Sequence, residues 1–88
     1  MGFLQPQNLL IQTQLERALG ASKELSRRGI SVLDARVDAF GATPTLVIAS
    51  HPKCNELRGR HTVEKLNGRK ESFMSAAFGG CRIIWKTN

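Results

Sequence analysis

The stretch 60-RHTVEKLNGRKESFMSAAFGGCRIIWK-86 decides how the rest of the chain is read. Asn67-Gly68 separates two runs of strand-forming residues, and this dipeptide tolerates the positive φ angles that a tight type I′ hairpin turn demands. Gly79-Gly80 repeats the device farther on. With a two-residue loop there, Phe78 faces Cys81, Ala76 faces Ile83 and Met74 faces Trp85. All six are apolar, and all fall on one face because strand side chains alternate. Carrying the register back through the first turn sets Met74 against His61, Ser72 against Val63, and Lys65 against Lys70. A slip of one residue would place Arg82 and Lys86 on the buried face, so the register is well specified. The expectation is a three-stranded antiparallel meander.

Upstream, the apolar period is helical. Ile11, Leu15, Ala18, Leu19, Ser22 and Leu25 recur at helical spacing, Pro6 suits a first turn, and Gly29 supplies a stop after Arg27 and Arg28. The spacing predicts one amphipathic helix over residues 6–28, with Gln5 or Asn8 as its cap and Phe3-Leu4 tucked against the core. Gly20 is its weak point, read as a kink or a close approach to the sheet. The period then shortens. Leu33, Ala35, Val37 and Ala39 alternate with polar residues, Gly41-Ala42-Thr43-Pro44 reads as a turn, and Thr45 to Ser50 as a second, central strand. Residues 51–60 read as a polar connection anchored by Leu57, with room for a short helical turn. A helix must bury its apolar stripe, and a sheet with one apolar face is the available partner. The predicted fold is α+β: a single domain over residues 1–88, ordered α-β-β-loop-β-β-β, with the helix packed on a mainly antiparallel sheet of about five strands.

Composition narrows the functional classes. The chain has 88 residues, 13 Lys plus Arg against 7 Asp plus Glu, and a formal net charge of +6. A small basic domain points to nucleic acid or an acidic protein surface as its partner. No apolar run is long enough to span a bilayer and no secretory signal opens the chain, so the sequence reads as cytoplasmic with no membrane partner. Cys54 and Cys81 read as reduced thiols in that compartment, although their spacing also permits a bridge.

Catalytic and metal chemistry find little support. His51, Cys54, His61 and Cys81 are ligand types, but the paired short spacings of structural zinc sites are missing. Cys54, placed by its neighbours in an exposed loop, has no nucleophile signature around it. The reading assigns no catalytic residue, no metal and no cofactor. The cations Lys53, Arg58, Arg60, Lys65, Arg69 and Lys70 gather around the loop and first hairpin, and these are the candidate partner-binding residues for acidic protein or phosphate. The opposition of Lys65 and Lys70 is a local conflict of the kind found where a site requires it. Phe73 and Ile84 fall on the face away from the helix and form a candidate apolar interface, rimmed by Arg69, Arg82 and Lys86.

The ending Ala76-Ala77-Phe78-Gly79-Gly80-Cys81-Arg82, with Trp85 behind it, resembles the tails of short phage and prophage proteins over the last quarter of the chain. That resemblance implies a small accessory protein working by stoichiometric binding, as anti-CRISPR and other counter-defence proteins do. It transfers no site residues. The leading expectation is a non-enzymatic accessory or inhibitor protein that binds an acidic host protein or nucleoprotein complex. Direct DNA or RNA binding is the alternative, and a small RelE-like RNA-cleaving toxin using Arg58, Arg60, His61, Arg69 and Lys70 the third. Stacking platforms and groove-reading motifs are missing, which ranks protein above naked nucleic acid.

Overall fold

A computed structural model describes residues 6–37, 43–66 and 68–86. The expectations placed on Phe3, Leu4, Gln5, Ala39, Gly41, Ala42 and Asn67 lie outside the described residues. Helix α1 (Pro6–Arg27) is followed by strands β1 (Val32–Arg36) and β2 (Thr45–Ile48), a 3-10 helix over Pro52–Leu57, and strands β3 (Arg60–Leu66), β4 (Arg69–Phe78) and β5 (Cys81–Lys86). The five strands form one sheet in the order β1-β2-β5-β4-β3. Among the described strands the β2–β5 contact is parallel and the other three are antiparallel. The fold is therefore the α+β arrangement expected, with one helix on a mainly antiparallel sheet.

The meander holds its predicted register throughout. Met74 pairs with Trp85, Ala76 with Ile83 and Phe78 with Cys81. His61 pairs with Met74, Val63 with Ser72 and Lys65 with Lys70. Gly68, Gly79 and Gly80 all adopt positive φ, the conformation for which glycine is suited at these turns.

Helix α1 ends in a Schellman motif. Gly29 has φ +81°, its N–H donates to the Ser26 carbonyl, and the Ile30 N–H donates to the Leu25 carbonyl at 3.0 Å. Leu25 and Ile30 are both buried, supplying the apolar contact that accompanies this cap. The buried stripe is rotated from the expected one. Gln14, Ala18, Ala21 and Leu25 face inward, while Leu15 and Leu19 are half or more exposed. The reason is close packing on small residues: a Cβ at Gly79 would lie 3.2 Å from the Ala21 methyl. With Ala18 and Ala21 against the sheet, the leucines are turned to the flank. Gly20 faces open space, with nothing within 4 Å of an added Cβ, so no close approach to the sheet explains it.

Strand β1 departs from simple alternation. Its pairing with β2 shifts between Val32 and Asp34, leaving Leu33 as an extra, exposed residue. The bulge moves Val32 and Ala35 onto the inner register, opposite Ile48 and Leu46. The connection after β2 also differs from a plain polar loop. His51 caps the 3-10 helix by accepting the Lys53 N–H on Nδ1, and Pro52 opens it. Cys54 and Leu57 both enter the core, which corrects the placement of Cys54 in an exposed loop. Around them lie Leu25, Ile30, Leu46, Ile48, Ile83 and Trp85, all on the helix side of the sheet. No helix among the described residues is long and apolar enough to cross a membrane.

Candidate functional site on the uncovered sheet face

One helix covers one face of a sheet. The other face carries Val47, Phe73 and Ile84 as an apolar spine, with Arg60, Thr62, Ser75 and Arg82 beside it, as the strand register dictates. Phe73 is nonetheless 5% exposed, and Ile84 is half-buried. The cover on Phe73 includes a long polar side chain, for the Arg82 guanidinium lies 5.7 Å from its ring centroid. Arg82 is fixed by two further contacts: its Nη2 donates to Glu64 Oε1 at 2.8 Å, and its Nε to the Ser75 hydroxyl at 3.3 Å.

Beside this group opens a cleft of about 560 Å³, lined by Thr43, Arg58, Arg60, Thr62, Ser75, Ala76, Ala77, Cys81 and Arg82. Arg58 reaches it from the left-handed cap of the 3-10 helix, at φ 54° and ψ 49°. Among the described residues it is the only non-glycine with positive φ. Such a conformation costs a residue with a Cβ roughly 1–2 kcal/mol. The next residue, Gly59, is pressed against the indole, since a Cβ there would lie 2.5 Å from Trp85 Cη2. Arg60 then begins β3. Among the described residues neither Arg58 nor Arg60 has an acidic partner within ion-pair distance. Three guanidiniums against the single carboxylate of Glu64 leave the cleft two positive charges, flanked by three hydroxyls. This is a setting for an oxyanion.

The remaining cations are dispersed. Arg69 shares this face but lies at the hairpin tip, opposite Leu66. Lys65 and Lys70 oppose each other on the helix side of the hairpin and are exposed. Lys53 sits over the end of α1, its Nζ 4.0 Å from where a Gly29 Cβ would be. Arg58 and Arg60 are thus the two candidates that the fold brings together. Arg82 joins them as a cleft cation, a role the sequence reading did not give it. The register held the signal: Arg60 pairs with Ser75 and Ser75 with Ile84, two residues from Arg82 on the same face.

Other chemistry-bearing side chains have structural occupations. His61 is hydrogen-bonded to the Ser72 hydroxyl on the helix side of the sheet, so a proton-moving histidine and the cleft arginines lie on opposite faces. The Cys54 thiol is buried and points to the Ala49 carbonyl at 3.7 Å. Cys54 and Cys81 are both free thiols. Burial pushes the Cys81 thiol pKa up, with the Arg17 charge opposing the rise. Among the described residues no cluster of three or more His, Cys, Asp or Glu gathers in metal-binding proximity.

Comparison with known proteins returned one family. A model described as the Kil protein family matches residues 10–86, nearly the whole chain and not only its tail. No curated protein and no solved structure matches.

Proposed function

Since the chain belongs to the Kil protein family, a family of small phage-associated proteins, we propose that it is a phage-encoded accessory protein that acts in the host cytoplasm by stoichiometric binding to an acidic protein surface or nucleoprotein complex. The observation that carries this reading is the pair Arg58 and Arg60, which lacks acidic partners among the described residues and opens with Arg82 onto one cleft. Exposed guanidiniums beside hydroxyls recognise carboxylates or phosphates in forked geometry. Protein is favoured over naked nucleic acid because the described aromatic rings are occupied. Phe73 lies under Arg82, Phe78 under Arg28, and Trp85 in the core, which leaves no free Phe or Trp ring for a base to stack on among the described residues.

The test is a tagged pull-down from bacterial lysate, with and without nuclease, using the wild-type chain and an Arg58→Glu/Arg60→Glu double variant. The expected result is a protein partner that survives nuclease and is lost from the variant. Recovery that disappears with nuclease assigns the cleft to nucleic acid, and a salt titration then counts the phosphate contacts. Undiminished recovery by the double variant removes the cleft from the function.

A further inference from the structure

We propose that the free edge of β3 is a docking site for an extended acidic segment of a partner protein, which joins the sheet as an added strand; this rests on the acidic-partner reading above and specifies how the partner engages. The two edges of the sheet differ. β1 is five residues long and interrupted by the bulge at Leu33, a common means of spoiling an edge for pairing. β3 is seven residues long and pairs with β4 without a break from Arg60 to Leu66. Being last in the sheet, it turns every second residue's N–H and C=O outward, a regular template for another strand.

Charge selects the occupant. On the uncovered face the edge presents Arg60, without an acidic partner among the described residues and backed by Arg58, whereas Glu64 is already held by Arg82. On the helix-side face it presents Lys65, crowded by Lys70 on its inner side and open on its outer side. Between them Val63 is 56% exposed. An antiparallel strand with acids opposite Arg60 and Lys65 satisfies the first and relieves the repulsion at the second. An apolar residue between them covers Val63. Those two acids stand five residues apart, a spacing that sends them to opposite faces of the added strand, as Arg60 and Lys65 require. A second copy of this chain fits less well. Antiparallel self-pairing about Val63 sets His61 beside Lys65 of the other copy and joins two chains of net charge +6.

The probe is the end-blocked octapeptide TETVTTET, whose glutamates fall opposite Lys65 and Arg60 and whose valine falls opposite Val63. Amide exchange across β3 is followed by NMR with the peptide at saturating concentration. The expected result is about tenfold slower exchange at alternate, outward-facing β3 amides. The effect is absent with the glutamine counterpart TQTVTTQT, and binding falls about tenfold in Arg60→Glu and in Lys65→Glu. Glutamate-dependent binding with unchanged β3 exchange overturns strand addition while leaving the basic cleft as an acidic-partner site. Absence of binding to TETVTTET overturns the proposal, whatever the pull-down with the cleft variant shows. Protection of β3 without peptide, rising with protein concentration, overturns it in favour of self-pairing.

Discussion

Gly59 joins the core to the candidate site, and one methyl group there tests the link. A Cβ at this position would lie 2.5 Å from Trp85 Cη2, 2.9 Å from Cζ2 and 3.2 Å from the Ser75 carbonyl oxygen. The first two distances are shorter than carbon atoms tolerate, so something must move. The indole cannot swing freely, being 6% exposed and part of the central cluster. The carbonyl belongs to the middle of β4. Overpacking of this kind costs about 1–3 kcal/mol. Restricting the unfolded chain returns roughly 0.4–1 kcal/mol. The net expectation for Gly59→Ala is a loss of about 1–2 kcal/mol by those two estimates. In a domain of this size that corresponds to a fall in Tm of roughly 4–16 °C. Gly20→Ala is the matched control. It is the same substitution in an exposed helical position with nothing within 4 Å. It gains about 0.8–1 kcal/mol in helix propensity, raising Tm by several degrees. Circular dichroism melts and urea titrations of both variants give the comparison. A Gly59→Ala protein as stable as the wild type would refute the claim that close packing on Trp85 fixes this turn.

Other outcomes follow from the same geometry. Arg58→Gly removes a cleft cation at a left-handed position, so Tm should hold or rise slightly while TETVTTET binding weakens in a titration monitored by NMR. Glu64→Gln frees Arg82 and raises the cleft from two net positive charges to three. Because both side chains of that pair are about 40% exposed, stability should fall by under about 1 kcal/mol, while affinity for the same peptide rises. Cys81 adds a pH dependence. Its thiol pKa is raised in the folded state, so the unfolded chain loses this proton first as pH increases. The contribution is fully present below the unfolded thiol pKa and declines as pH rises from there through the folded value. Urea midpoints should therefore fall less steeply on the alkaline side for Cys81→Ala than for wild type, and parallel slopes would contradict the assignment.

The meander was legible because two turns constrain three strands jointly, and every buried residue on one strand checks the register of the next. The Gly29 stop was legible for a similar reason, since its chemistry is local. The rotated helix stripe was not. Hydropathy favours Leu15 and Leu19 over Ala18 and Ala21, but close approach to Gly79 favours small side chains, and that distance is a property of the assembled layers. Cys54 was misplaced because Pro52, Lys53 and Asn55 around it are polar or turn-forming, while the 3-10 helix, at three residues per turn, puts Cys54 and Leu57 on one face toward the core. Of the candidate cations, Arg58 and Arg60 were visible by proximity in sequence. Their meeting with Arg82 depended on reading the register across β4 into β5.

The cleft's position follows from what a five-stranded sheet with a single helix must do with its second face. Val47, Phe73 and Ile84 lie there with no second helix among the described residues to cover them, and bare apolar surface would favour association. Arg82 is part of the answer to that problem, laying its guanidinium over Phe73 and anchoring it on Glu64 and Ser75. A face protected by arginine is a positive face. Its charge is offset at Arg82 by Glu64, and no corresponding acid stands by Arg58 or Arg60 among the described residues. Arg58 differs in its backbone, because glycine would occupy that left-handed cap with less strain. Protection of Phe73 accounts for Arg82. The Arg58→Gly variant tests the proposed ligand role, because it relieves the left-handed strain at that cap while emptying that corner of the cleft.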